Sequence, residues 1–179
     1  LVMVYLRIDT LMIGSMLGER EVGEYALAFR LIEPFQLVFG SFSLSLFASL
    51  SGKWNIPDPA EVRRTIGKAA LPAFGLAVLG SLVLSVGGPS LVRQFAPEFS
   101  QSGSVLVFLS VALIFKSINP QLTAILNSLG KFRLLALITF VNLSAGIVLN
   151  MIFLPRYGVL GAALTVVCVE CLNCVLQSV

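Results

Sequence analysis

The sequence predicts an all-α, polytopic membrane protein, a bundle of six transmembrane helices. Of its 179 residues, 57% are hydrophobic and 12% are charged, whereas soluble domains average about 45–50% apolar and about 25% charged residues. Six stretches are each apolar over roughly the 20 residues that a helix needs to cross a hydrocarbon core of about 30 Å. These two observations exclude a soluble globular enzyme.

Polar runs, glycines and prolines separate the six predicted spans. The first span ends at the polar run 18–21, and the second contains Pro34 as a predicted kink. Residues 89–103 divide the third span from the fourth, which Asn119 and Pro120 interrupt. The predicted spans are about 1–17, 22–50, 69–88, 104–129, 134–154 and 159–179.

The basic residues of the loops predict the orientation of the spans. Short loops force consecutive spans to alternate in direction, so the five connections fall on two sides of the membrane. The side with more Lys and Arg is predicted to be cytoplasmic, which makes both ends of the sequence cytoplasmic and gives no reason to expect nucleic-acid binding. The richer side carries Lys53, Arg63, Arg64, Lys68, Lys131 and Arg133, and the other carries Arg20, Arg93 and Arg156.

Residues 51–68 are predicted to form a cytoplasmic loop that contains a short amphipathic helix. Asp58 is a favourable N-cap residue, Pro59 would occupy the first helical position, and Glu61 follows the cap by three residues. Apolar and basic side chains then alternate at helical spacing, as in helices that lie along a membrane surface. We expect a connecting helix, with a regulatory or partner site as the alternative.

Six ionisable residues lie well inside the predicted spans and are the candidate functional residues. A charge at mid-bilayer costs about 2.5–3.5 kcal/mol on insertion scales. We therefore expect these side chains to face one another, the bundle interior or a hydrated cavity. They are Arg7, Asp9, Arg30, Glu33, Lys116 and Glu170.

The depths of these charges predict two ion pairs. At a rise of 1.5 Å per residue, Asp9 and Arg30 lie about 13 and 12 Å below the outer end of their helices, and Arg7 and Glu33 both lie about 16 Å below it. The other two charges lie at about 17–18 Å. Asp9 is predicted to pair with Arg30, and Arg7 with Glu33, although only one pair is expected to close fully. Charges that share a depth suit a path for a polar solute, and structural ion pairs between helices are the alternative.

Few other residue types suggest chemistry. The sequence has no histidine and three cysteines, and the cysteines lie in one apolar stretch without a fourth, so we expect no metal, no cofactor and no catalytic residue. Asn119, beside Pro120, is a candidate cavity residue, whereas the other asparagines of the spans suit hydrogen bonds between helices. The small residues of the segment 158–163 would allow two helices to approach closely.

Two pairs of motifs carry a family resemblance. The first pair is D-x-L-x-x-G at residues 9–14 and V-G-x-Y-x-x-A at 22–28, and the second is N-x(7)-N at 142–150 and P-x-Y-G-x-x-G-A-A at 155–163. With the span count between them, these motifs resemble the polysaccharide or O-antigen (Wzx-type) flippases of the multidrug/oligosaccharidyl-lipid/polysaccharide exporter superfamily. The resemblance covers nearly the whole chain.

The resemblance implies one lobe of a MATE-like transporter, in which two six-helix lobes form a V around a central cavity. It favours the C-terminal lobe, with the second lobe supplied by a longer chain or by a partner. The implied function is non-enzymatic: an undecaprenyl-diphosphate-linked oligosaccharide would move by alternating access from the cytoplasmic to the periplasmic leaflet of a bacterial inner membrane, in polysaccharide or lipopolysaccharide synthesis. Membrane lipid would surround the bundle.

The resemblance and the buried charges together predict two groups of site residues. Basic and amide side chains are expected to hold the diphosphate, and carboxylates are expected to bind a coupling cation or proton. A multidrug cation antiporter of the same superfamily and a non-transporting membrane scaffold subunit remain the alternatives. The predicted substrate-binding residues are Arg7, Arg30, Lys116 and Asn119, and the predicted coupling residues are Asp9, Glu33 and Glu170.

Overall fold

The computed structural model describes residues 2–51 and 59–178, and it describes side chains from residue 8 onward except at position 59. This part of the chain forms six α-helices and one short 3-10 turn at Pro97–Phe99, and it contains no strand. The all-α prediction is confirmed. The helices are α1 (Val2–Met16), α2 (Glu19–Leu50), α3 (Pro59–Phe95), α4 (Ser102–Ser128), α5 (Phe132–Tyr157) and α6 (Val159–Ser178).

Five of the described helices, α2 to α6, are long and apolar enough to cross a membrane. Helix α1 corresponds to the first predicted span but has 15 residues, fewer than the roughly 20 that a crossing needs. Large apolar side chains such as Leu37, Leu79 and Phe140 are exposed on the outside of the bundle, as expected for surfaces that meet lipid. The chain is a multi-pass membrane protein.

Helix α4 is the centre of the bundle. It packs against α2, α3 and α6, while α5 packs mainly against α6, and α1 lies against α2 and α5. Leu106, Leu109 and Leu113 of α4 are fully buried, together with Phe39 of α2 and Leu154 of α5. Because α4 and α6 lie side by side in the interior, polar residues on their facing sides are removed from lipid.

Glycine allows the tight connection between α5 and α6. Gly158 joins them in a left-handed conformation, with φ 57°, which residues with a Cβ rarely adopt. An ideal Cβ on Gly161 would lie 2.4 Å from the carbonyl oxygen of Phe153, so only glycine fits there. Ala162 and Ala163 are fully buried beside it. The prediction that this segment lets two helices approach closely is confirmed.

Helix α3 differs from its predicted boundaries. A span at 69–88 was expected after a separate short helix, but residues 59–95 form one helix of 37 residues. Val62 and Ile66 of its first turns pack against Leu46 and Leu50 of α2, and this burial continues the helix into the bundle. The expected N-cap, Asp58, lies outside the described residues, as does Lys53.

Candidate functional site

Three polar side chains on α4 and α6 form a cluster inside the bundle, here called the α4–α6 polar cluster: Lys116, Asn119 and Glu170. The Nζ atom of Lys116 donates to Oε1 of Glu170 at 2.6 Å. The Nδ2 atom of Asn119 donates to Oε2 of the same carboxylate at 2.6 Å and to the backbone oxygen of Glu170 at 3.0 Å. Both carboxylate oxygens of Glu170 therefore accept a hydrogen bond.

The sequence of α4 explains why the cluster forms. Lys116 and Asn119 are three residues apart, so they lie on one face of the helix, and that face packs against α6. The side chains of Lys116 and Glu170 are 15% and 11% exposed, and the ammonium lies 6.0 Å from the centre of the Phe29 ring. Breaking a buried pair by removing one partner is costly, because the other charge is left without compensation. The cluster is thus a tightly bonded group that is largely removed from solvent.

A second polar contact joins α1 to α5. The Nδ2 atom of Asn150 donates to Oδ1 of Asp9 at 2.6 Å. The side-chain oxygens of Asn150 and Asn142 are buried and accept no hydrogen bond from any described residue. Asp9 therefore lies near amide oxygens whose acceptor capacity is unused.

Two cavities adjoin these contacts. The smaller, of about 100 Å³, is lined by residues that include Asp9, Asn142 and Thr165. The larger, of about 350 Å³ and more open, is lined by residues that include Ser43 and Asn173. Three side chains line both cavities: Gln36, Lys116 and Glu170. The ion pair of the polar cluster is therefore a wall common to both.

The structure brings together four of the seven residues singled out in the sequence. Lys116, Asn119 and Glu170 form the polar cluster, and Asp9 lines the smaller cavity next to Lys116 and Glu170. The sequence places Lys116 and Glu170 at similar depths of about 18 and 17 Å. In the structure these two side chains form a direct ion pair. The side chain of Arg7 is not among those that the structure describes. Its predicted pairing with Glu33 therefore stays a prediction.

The predicted pairing of Asp9 with Arg30 is wrong. Arg30 and Glu33 are exposed on the outside of α2, and Asp9 is bonded to Asn150 instead. The buried side of α2 includes Ala28, and at 100° per residue Arg30 points about 200° away from it. Depth along a helix fixes the level of a side chain but not its direction around the axis.

Gln36 is the one residue lining both cavities that was not among the residues predicted from the sequence. It is partly buried on α2 and lines both cavities, while its Nε2 atom donates to no described residue. The sequence does offer a signal for Gln36, because an amide is unusual within the long apolar stretch of the second span. The prediction was restricted to ionisable side chains and to the asparagine beside Pro120.

An apolar exterior around an interior that holds charged side chains is typical of a helical membrane bundle with a polar functional site. The family model described as MatE matches residues 1–152. The chain belongs to the MatE family, which confirms the superfamily resemblance seen in the sequence motifs.

Relatives with curated names cover nearly the whole chain. "Probable flippase AglR" of Haloferax volcanii is 28% identical over 165 residues, which are 90% of this chain and 35% of the relative. "Probable low-salt glycan biosynthesis flippase Agl15" of the same organism is 25% identical over 177 residues, or 97% of this chain and 37% of the relative. "Putative O-antigen transporter" of Shigella flexneri is 26% identical over 167 residues, or 92% and 38%. The chain thus spans little more than a third of the length of these relatives.

Proposed function

We propose that this chain is one six-helix lobe of a flippase that carries a lipid-linked oligosaccharide from the cytoplasmic to the outer leaflet of the membrane. Two of the relatives described above are named flippases and a third is named an O-antigen transporter. The observation that carries the proposal is the α4–α6 polar cluster, which holds a lysine beside two cavities inside an apolar bundle.

The chemistry of such a substrate fits this environment. A lysine or arginine neutralises a diphosphate through charge-assisted hydrogen bonds, while the polyprenyl tail stays against the apolar exterior of the bundle. An inside-negative potential favours outward movement of negative charge by about 2.3 kcal/mol per charge per 100 mV. The protein would act without chemical catalysis, by alternating access of two lobes.

Lys116 is assigned a double role in this mechanism. At rest its ammonium is bonded to Glu170, and during transport it exchanges that carboxylate for the substrate diphosphate. Asn119 holds the second oxygen of Glu170 and keeps the carboxylate in place during the exchange. Arg30 lies on the exposed side of α2, where it would face the second lobe, and with Arg7 it completes the proposed substrate-binding set.

Three carboxylates are assigned to ion coupling: Asp9, Glu33 and Glu170. Glu170 becomes free to take up a proton or a cation when Lys116 leaves it. Asp9 has the most suitable surroundings, because it lines the smaller cavity near the unused oxygens of Asn142 and Asn150. Oxygen ligands of this kind suit a hard cation.

Replacement of Asp9 by asparagine tests the coupling role. Asparagine keeps the size of the side chain and an oxygen that accepts from Asn150, so the fold should be retained, but the negative charge is lost. We expect gradient-driven flipping by the full-length protein in vesicles to fall at least about tenfold, with substrate binding within about twofold. The control is Glu98→Gln, at an exposed carboxylate on the 3-10 turn. Equal flipping by Asp9→Asn and wild type would remove Asp9 from the coupling site.

The proposed arrangement in the cell follows from the loop charges. The connections α2–α3 and α4–α5, counted with the first turns of α3, carry more basic residues than the other connections. This supports a cytoplasmic location for these two connections, with both ends of the described bundle on the same side. We assign the protein to the inner, or plasma, membrane. The remainder of a chain as long as its relatives would supply the second lobe, and we assign this bundle to the C-terminal lobe, as the motif resemblance favours.

The central experiment measures export in a strain that lacks its own flippase and expresses the full-length protein. The Arg30→Gln variant is expected to reduce surface polysaccharide at least about tenfold at equal expression, because it removes one contact to the diphosphate. The control is Arg93→Gln, at an exposed arginine in the last turn of α3.

A reconstituted assay separates the proposal from its alternatives. The purified full-length protein in vesicles is expected to flip a fluorescent polyprenyl-diphosphate oligosaccharide and to leave cationic dyes untransported. Dye export without lipid flipping would indicate a drug antiporter, and neither activity would indicate a scaffold subunit. Either outcome would overturn the proposed function.

A further inference from the structure

The first turns of α3 carry three exposed basic side chains, here called the α3 basic face: Arg63, Arg64 and Lys68. None of them forms an ion pair with a carboxylate in the described parts of the chain. They line an open groove of about 950 Å³, which Leu71 also lines. The positive charge of this face is therefore available to an anionic ligand.

An apolar stripe continues the α3 basic face along the same helix. Leu71, Leu79, Leu82 and Val86 follow Lys68 at helical spacing and are 72%, 61%, 61% and 79% exposed. From Lys68 to Val86 the helix rises about 27 Å, close to the hydrocarbon thickness of about 30 Å. The basic residues thus lie at one edge of the surface that meets lipid tails, where headgroups are found.

The opposite side of these turns is occupied by the bundle itself. Val62 and Ile66 pack against Leu46, Leu50 and Ala124. The basic residues are therefore carried by a helix anchored to α2 and α4, so the backbone that bears them does not need to be ordered by a ligand. A fixed group of charges loses less entropy on binding than a flexible one.

We propose that the α3 basic face binds the headgroup of an anionic phospholipid from the surrounding leaflet. Arg64 and Lys68 hold the lipid phosphate, and one acyl chain lies along Leu71 and Leu79. Charge complementarity and the continuous apolar stripe favour a lipid over a soluble anion, which would leave the stripe unused. The cytoplasmic leaflet, to which the loop charges assign this end, is the one that carries anionic lipid. The inference does not depend on the solute that the protein transports.

The test counts lipids retained by the purified full-length protein in native mass spectrometry. Wild type, loaded with equal amounts of phosphatidylglycerol and phosphatidylcholine, is expected to retain at least one phosphatidylglycerol selectively. In the double variant Arg64→Gln/Lys68→Gln, affinity for that lipid should fall about 30-fold, equivalent to about 2 kcal/mol for two basic residues near an anionic surface. The matched control is Lys131→Gln/Arg133→Gln, an exposed basic pair with the same charge change and the same predicted membrane side.

Each outcome of this experiment supports or overturns the inference. Selective loss in the Arg64/Lys68 variant, with unchanged elution on gel filtration, supports it. Equal retention in both double variants would overturn it and would indicate that another part of the longer protein, or a protein partner, covers the face. Displacement of phosphatidylglycerol by an equimolar polyprenyl diphosphate would also overturn it, since the face would then belong to the substrate route.

Discussion

Replacement of Lys116 by alanine is expected to destabilise the protein by about 3–5 kcal/mol, the cost of leaving a buried charge without its partner. The side chain of Glu170 is 11% exposed, and after the substitution its carboxylate keeps only the one hydrogen bond from Asn119. Export of polysaccharide is expected to be lost together with much of the folded protein. Gel filtration after heating, with the full-length protein in detergent, measures the first effect.

A second variant separates the transport role of the pair from its role in folding. In Lys116→Met/Glu170→Gln both charges are removed, and the glutamine can still accept a hydrogen bond from Asn119. Replacement of a buried ion pair by uncharged residues of similar volume is often neutral, so stability should return to within about 1 kcal/mol of wild type. If Lys116 exchanges Glu170 for the diphosphate, export by this double variant should still be at least about 50-fold lower than export by wild type.

A partly buried polar contact away from the cavities supplies the control for this pair. The hydroxyls of Ser85 and Ser110 are 2.6 Å apart between α3 and α4, and neither residue lines the two cavities. The variant Ser85→Ala/Ser110→Ala should export normally. Restoration of both stability and export in Lys116→Met/Glu170→Gln would show that the ion pair serves packing alone.

The second large effect is expected at the α5–α6 connection. A leucine at position 161 would push its Cβ to within 2.4 Å of the carbonyl oxygen of Phe153, and a backbone atom cannot rotate away as a side chain can. Overpacking costs about 1–3 kcal/mol when side chains can adjust, and we expect a cost at or above that range here. The melting temperature of the full-length protein should fall accordingly.

Gly75 provides the matched control for this substitution. It is exposed within α3, and nothing lies within 4 Å of an added Cβ. Leucine there should leave the melting temperature unchanged or raise it, because glycine is a poor helix former. Similar melting temperatures for the two leucine variants would contradict the close approach of α5 and α6.

The helical fold was predictable because membrane spans are long and apolar, and because polar runs interrupt them. The fifth span was predicted at 134–154 and is observed as Phe132–Tyr157. Helix α3 was predicted less well: hydropathy falls at the basic residues near its start, but backbone hydrogen bonds and the packing of Val62 and Ile66 carry the helix through them. Hydropathy reports the solvent around a segment, not the point at which a helix ends.

The sequence predicts how deep each site residue lies along its helix, but not the direction in which its side chain points around the helix axis. The constant rise of a helix placed Lys116 and Glu170 at similar depths, and they are bonded. Asp9 accepts a hydrogen bond from Asn150, which is 141 residues away in sequence. Arg30 is at a similar depth to Asp9 but does not pair with it. The rotation of each helix about its own axis depends on which neighbours it packs against, and this information is spread over the whole bundle.

The shared wall between the two cavities has a consequence for substrate capture. Since Lys116 and Glu170 are two of the three side chains that line both cavities, separating them would remove part of the wall between the two spaces. Lys116 and Glu170 meet in this wall through a contact of 2.6 Å, and Gln36 lies beside them. In the proposed mechanism, a substrate that competes for the lysine would therefore loosen this wall by the same contact that captures the substrate.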